Sequence, residues 1–438
     1  MAAAFKTFCG EYGSLFWCFN HDQTEHAYRY LCGLMQSPES NLLQMAEAVP
    51  GFTYEDQQHF LSGSPWDHTP VVAQVARQAY GLLGGQRDTA LLLDETCFAK
   101  KGEKSVGVAR QYNGRLGKVD NCQVAVFAAL SVGRHTVPVD FTLYLPESWT
   151  SDPARCDQAG VPADQREPRT KIELALVLVE RQLALGHRFA WVGADAGYGR
   201  DLAFCRRLEA LQQTFMVDIP SDRQVHLGVP RGQAEDPAPV AVRDLIAGAA
   251  DQWRRVEVRD STKGRLTVEA QVHSIWLWDD ADQLPRGWLL VARRDGPDAE
   301  IKYSLTNARP TTGLARLTAM AHQRYWIERT FEDAKSQVGM AEYQVRHWQG
   351  WHHHLALVLM ACLFMTRFRL LHADAEPLLS AADVRVLLEY FLPQPPRTAE
   401  AVVARMAERH RRRRAAIAQA HRQRCRRGRR SVNEIIPK

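Results

Sequence analysis

Apolar positions along this chain recur at helical spacing in some stretches and as short unbroken or alternating runs in others, and the changeovers divide it. Residues 1–85 are helical in pattern: Tyr28, Leu31, Leu34 and Met35 share one face, as do Val71, Val75 and Ala79, and Ser40 or Asn41 can cap a helix carrying Leu42, Leu43, Met45 and Ala46. A helical N-terminal domain is predicted there, as a DNA reader or a packing module. Gly84-Gly85 breaks it. Residues 90–93 are wholly apolar and end on Asp94 and Glu95, the pattern of a central strand buried on both faces. Residues 104–108, 122–132 and 137–145 read as further strands of an antiparallel meander, with a turn at 110–114. A polar connection, 146–168, precedes an apolar helix at 170–186. That helix feeds a second apolar run, 189–193, which again closes on a carboxylate, Asp195. Gly197-Tyr198-Gly199 allows a tight turn but lacks the spacing of a phosphate loop.

Beyond a helix at 204–211 and a strand at 214–219, residues 221–306 change character. Strand-like runs at 253–258, 265–272, 274–278 and 288–292 are separated by turn clusters, which predicts a β-rich insertion. Its Trp276, Trp278 and Trp288 are assigned to the core, with base stacking as the alternative. Residues 311–369 return to helix, where Ile327, Phe331, Ala334 and Val338 form a buried stripe. Arg324, Glu328 and Glu332 follow beside it at spacings of four, and Lys335 lies seven beyond Glu328. The predicted organisation is therefore α/β: a mixed-sheet core in two parts, 86–220 and 307–372, with 221–306 inserted, 1–85 in front and 373–438 behind. His352-His353-His354 opens an apolar helix and is predicted to cap it or lie at the surface.

Composition adds the compartment and the partner. The chain has 438 residues, 45% hydrophobic and 24% charged, which is ordinary for a globular protein. The apolar run 355–365 is too short to cross a bilayer, and the N-terminus has no secretion pattern, so no membrane is expected. Nine cysteines without a CxxC pair point to a reducing cytoplasm. The net charge of +5 is unevenly placed: residues 405–430 hold twelve arginines and one glutamate, so the rest of the chain is net acidic. Such a tail is expected to be solvated, often disordered, and to contact nucleic-acid phosphates.

Two strand-end aspartates, Asp94 and Asp195, with a helix-borne glutamate, Glu328, make an oxygen-only donor set for two hard cations. Mg²⁺ suits such a set, whereas His or Cys would select softer metals. Two such ions serve phosphodiester chemistry. Glycoside hydrolysis also uses paired carboxylates, but it leaves the arginine tail, the third carboxylate and the insertion without a role. Lys100 and Lys101, just past the first strand, are candidates for phosphate contact.

The blocks LLLDETCFAKKGEKSVGVARQYNGRLGKVDNCQVAVF, LYLPESW, WVGADAGYG and QRYWIERTFEDAK resemble the insertion sequence 701 family of transposases, within the DDE class related to insertion sequence 4. The resemblance covers roughly residues 5 to 370. It implies a ribonuclease H-like catalytic domain interrupted by a β-rich insertion, with Asp94, Asp195 and Glu328 as the metal-binding triad for Mg²⁺, and Mn²⁺ as a substitute. Arg324, Glu328 and Lys335 match the R-x3-E-x6-K part of that class's signature, and Arg324 and Lys335 are expected to hold DNA near the cut. The tyrosine of the signature is replaced by Ala321, with Tyr325 out of register, and Glu332 is the rival third carboxylate. The implied activity is cutting at insertion-sequence ends and joining of the 3′-hydroxyl to target DNA, by a homodimer on DNA. A nuclease without strand transfer and a non-catalytic DNA-binding protein are the alternatives.

Overall fold

The computed structural model describes residues 1–433 apart from 115, 234, 262 and 263. Five helices come first: α1 (Ala2–Gly10), α2 (Thr24–Gln36), α3 (Leu42–Ala48), α4 (Tyr54–Ser62) and α5 (His68–Leu83). Asn41, Thr53 and Asp67 cap α3, α4 and α5 by accepting from backbone N–H groups of the first turn. The buried sides of α2, α4 and α5 pack on a later helix, and all of them share one hydrophobic cluster with the sheet.

The sheet begins with β1 (Ala90–Ala99), β2 (Ala109–Asn113), β3 (Lys118–Val132) and β4 (His135–Leu143). The expected turn at 110–114 is largely strand β2, and the expected strand at 104–108 is irregular; the chain reverses after Asn113 instead. A capping box of Thr170 and Glu173 starts α6 (Lys171–Ala184), the crossover to β5 (Trp191–Ala194). The one-turn α7 (Ala196–Gly199) and α8 (Leu202–Ala210) then lead to β6 (Phe215–Ile219). In space the order is β4-β3-β1-β5-β6, with β1, β5 and β6 parallel and β3 antiparallel. That is the strand order of a ribonuclease H-like core.

The segment after β6 does not form a separate layer. Its strands β7 (Arg254–Ser261), β8 (Gly264–Asp279), β9 (Leu284–Arg294) and β10 (Lys302–Thr306) continue the same sheet, β10 pairing with β6, so ten strands are joined among the described residues. Runs 265–272 and 274–278 are one continuous strand, β8, and Trp288 is buried in the core.

The chain returns as α9 (Leu314–Gln323), α10 (Tyr325–Gln337) and α11 (Trp348–Leu371). The buried stripe of α10 is Ile327, Phe331 and Ala334, and Phe331 meets Phe127 of β3 edge-on at 5.3 Å. Helix α11 lies between β4 and the N-terminal helices. It is long and apolar enough to cross a membrane, yet protein covers most of its surface. Two helices end the chain, α12 (Ala381–Phe391) and α13 (Ala399–Asn433). The arginine-rich segment, expected to be solvated and often disordered, is helical through Asn433, with most of its described side chains exposed.

Candidate active site

The site is set by strand register. Leu92 lies opposite Gly193 in the parallel pair β1–β5, and Ala194 opposite Val217 in β5–β6. Two residues past the first pairing, Asp94 and Asp195 occupy matching positions; one residue past the second, so do Asp195 and Asp218. Three neighbouring parallel strands therefore present a row of aspartates at one end. Strand β1 does not stop there: it runs on against β3 to Ala99, so Asp94 stands mid-strand where its parallel neighbour has ended.

Local chemistry holds that row. Asp195 caps α7, accepting from Gly197 N–H at 2.9 Å. Gly199 has no side chain because a Cβ there would stand 2.1 Å from the Asp218 carbonyl oxygen. The close approach of α7 to β6 thus explains the second glycine of Gly197-Tyr198-Gly199. Tyr198 donates from its hydroxyl to Glu95 at 3.0 Å, and Lys171 of α6 pairs with Glu95 at 2.6 Å. Glu95 thereby ties β1, α6 and α7 together on the face opposite Asp94.

The electrostatics show a site short of positive charge. Asp94 is 8% exposed, and burial together with the neighbouring Asp195 carboxylate pushes its pKa up to about 8, against the pull of Arg324. Asp195 is raised too, by burial first, with Glu95 adding to it. Asp218 is partly buried, which by itself would raise it, but Arg293 and Arg324 outweigh that and hold it below the usual carboxylate range.

Arg324 is the hub. Its Nε lies 3.3 Å from Asp218 Oδ2, and its Nη1 lies 2.5 Å from Glu328 Oε1 and 3.8 Å from Asp94 Oδ2. The guanidinium expected to hold DNA is committed to carboxylates. Glu328 is half-exposed, whereas Glu332 turns to Arg329 at 3.2 Å. Lys335 donates to Thr96 Oγ1 at 2.6 Å and to the Cys97 carbonyl at 3.2 Å, two to three residues along β1 from Asp94. Lys100 stands just past the end of that strand, its Nζ 3.4 Å from the centre of the Tyr343 ring, with Lys101 exposed beside it. Ala321 is buried on α9, and the exposed Tyr325 stacks with Arg259 at 4.7 Å.

Asp94 and Glu328 thus meet at Arg324, and Asp195, in register beside Asp94, feels the charge of Arg324 without pairing with it; Lys100 turns instead to Tyr343. Asp218 went unnoticed in the sequence. Its signal was available: the run 215–217 is a third apolar strand ending on an aspartate. No three His, Cys, Asp or Glu side chains among the described residues stand close enough to hold an ion as placed. The donor set nonetheless suits a hard cation: a buried carboxylate and a half-buried one that repel each other, a third on a half-exposed side chain, and oxygen donors throughout.

His352, His353 and His354 are buried, not at the surface as expected. His353 stacks on Trp66 at 3.7 Å, with its Nε2 2.7 Å from the Trp66 carbonyl, and His354 Nδ1 lies 2.8 Å from the Tyr30 hydroxyl.

Residues 14–265 match the family described as DDE superfamily endonuclease, a span that contains Asp94 and Asp195 and ends before Glu328. The "Probable transposase for insertion sequence element IS701" of Microchaete diplosiphon is 26% identical over 349 residues, 78% of this chain and 81% of that protein. Among solved structures, the NurA nuclease from Sulfolobus solfataricus aligns with 66% of this chain and 85% of its own at 7% identity, with a TM-score of 0.25.

Proposed function

We propose, for a chain that belongs to the DDE superfamily of endonucleases, that it is a DNA transposase cutting at insertion-sequence ends and joining the freed 3′-hydroxyl to target DNA. The observation that carries this reading is the matched register of Asp94 and Asp195 at the ends of adjacent parallel strands, with Glu328 brought to them through Arg324.

In this reading Asp94, Asp195 and Glu328 hold two Mg²⁺ ions, for which Mn²⁺ can substitute. Bound there, the ions supply Lewis acidity to the scissile phosphate and its leaving oxygen. The chain's own residues do the rest. The β1–β5 pairing fixes the spacing of the two aspartates, and the Asp195 cap keeps that side chain aimed along the strand end. Arg324 pairs with Glu328 and holds that carboxylate on the side of Asp94, from where it would complete the donor set. Lys335, poised on Thr96, offers positive charge to the DNA strand leaving the site. Water attacks phosphorus as the bond to the 3′ oxygen breaks, leaving a 5′-phosphate and a 3′-hydroxyl; that hydroxyl then attacks a target phosphorus, and the target's own 3′ oxygen leaves as a second 3′-hydroxyl. Since both ends are cut together, a homodimer on DNA is part of the proposal.

The test is a labelled duplex carrying the DNA that flanks the gene, incubated with Mg²⁺ or EDTA and with an unlabelled target plasmid. Metal-dependent cutting at the repeat boundary followed by joined product is expected. Cutting without joining would make the protein a nuclease only, and binding without cutting would overturn the enzymatic reading.

A further inference from the structure

Past the carboxylates, β1 runs beside the last turn of α10 and the chain that follows it. Thr96 meets Lys335, Phe98 meets Tyr343 at 5.8 Å between ring centres, and Lys100 lies over Tyr343. This line ends in a cleft of about 1350 Å³ between α3, α4, the 100–105 loop and residues 343–349. Lys100, Lys101, Lys104 and Arg346 line it against a single carboxylate, Glu103. Lys104 and Arg346 also line an adjoining cavity of about 630 Å³ that adds Arg110 and Arg155, so the basic lining is continuous. Small-molecule pockets are smaller and mostly apolar. This cleft is large, polar and cationic. Lys101, Lys104 and Arg346 are exposed, and none is in an ion pair with a carboxylate among the described residues.

The arginine-rich helix borders the same cleft. Tyr54 of α4 is one of its walls, and Arg412 of α13 lies over the Tyr54 ring at 5.9 Å. Arg409 is anchored to Glu47 of α3 by a bidentate pair. Two basic features some three hundred residues apart in sequence therefore meet at one rim.

We propose that this cleft seats the phosphate backbone of duplex DNA, with α13 as an arm along its edge. Lys100 follows Asp94 by six residues, just past the end of β1, which along extended chain is about 20 Å. At a rise of roughly 3.4 Å per base pair, the cleft contacts DNA about six base pairs from the cleaved phosphate. The proposal rests on DNA being the substrate, and it names a surface separate from the catalytic carboxylates.

The experiment measures binding of the same labelled duplex in EDTA, where cutting does not interfere. The proteins are wild type, the triple variant Lys101→Ala/Lys104→Ala/Arg346→Ala, the conservative pair Lys101→Arg/Lys104→Arg, and Lys302→Glu, whose strand β10 lies on the far side of β6. The triple variant is expected to bind roughly tenfold more weakly at moderate salt and to lose about 2 to 3 from the slope of log K against log salt. The other two variants are expected to match wild type, and all should melt like it. Hydroxyl-radical footprinting should show protection about six base pairs from the boundary, absent in the triple variant. Wild-type affinity, slope and footprint in the triple variant would overturn the cleft. A protein that cuts no duplex yet loses binding in the triple variant supports the cleft and removes the cleavage reading alone.

Discussion

Arg324 and Asp218, 106 residues apart, meet at 3.3 Å, and Asp218 is in turn held by Arg293 at 3.1 Å and by the Ser304 hydroxyl at 2.5 Å. Arg293 and Ser304 belong to the strands inserted after β6, so the insertion reaches the row of aspartates through Asp218. Asp218 is the fixed counter-charge that sets where Arg324 stands, and Arg324 sets where Glu328 stands.

Asp218→Asn therefore carries a double expectation. It leaves Arg293, 5% exposed, without its carboxylate, which costs on the order of 3 kcal/mol. It also frees Arg324, so cutting is expected to fall about 10- to 100-fold through misplacement alone. Asp218 lies below the usual carboxylate range, so its stabilisation is present above the unfolded value near 4 and is lost as pH falls through the folded one. Urea unfolding at pH 7 and pH 3 checks the sign: the variant's deficit should shrink at the lower pH. An equal deficit at both would remove the ionic role.

Asp94→Asn should behave in the opposite way. The Asp94 carboxyl is raised to about 8, so in the metal-free protein its ionisation works against folding as pH rises from about 4 to 8. The neutral amide is expected to stabilise the metal-free protein at pH 7 by about 1 kcal/mol or more, while abolishing cutting and leaving DNA binding within a few-fold. Adding Mg²⁺ or Mn²⁺ should raise the melting temperature of wild type and not of the variant. A variant that melts lower without metal would mean the aspartate is structural.

The third carboxylate is separable by partner. Glu328→Gln should lose cutting, since Glu328 shares Arg324 with Asp94, and Glu332→Gln should cut as wild type, since Glu332 faces Arg329. Nicking assays with Mg²⁺ on both variants decide between them. Full activity in Glu328→Gln would move the role to Glu332.

What the sequence disclosed depended on how local the signal was. Residues 90–93 and 189–193 announced buried strands because both faces of a central parallel strand are covered, and the aspartates closing them marked one sheet edge. The R-x3-E-x6-K spacing placed Arg324, Glu328 and Lys335 on one helix side. The destination of Arg324 was not legible: nothing near it in sequence reveals that Asp218 waits on another strand. The arginine segment reads as a solvated tail by charge alone, yet anchors on Glu47 and Tyr54 come from the opposite end of the chain. The three histidines misled for the same reason, since their surroundings are supplied by α2, α4 and the loop before α5.

Those histidines yield a last expectation. His352 is held well below its ordinary range and His353 and His354 near 4, by burial first, despite carbonyl partners that favour the charged ring. A histidine buried in its neutral form stabilises fully above its unfolded value near 6.5, and that contribution drains away as pH falls toward 4. Each should add about 1.4 kcal/mol per pH unit to the slope of stability in that window. His353→Gln keeps a polar side chain beside the Leu61 and Trp66 carbonyls but cannot take up a proton. It is expected to lower stability at pH 7 and to flatten the slope between pH 6.5 and 4 by one histidine's share, measured by urea unfolding across the window. An unchanged slope would mean that His353 is already charged at neutral pH, donating to both carbonyls while stacked on Trp66.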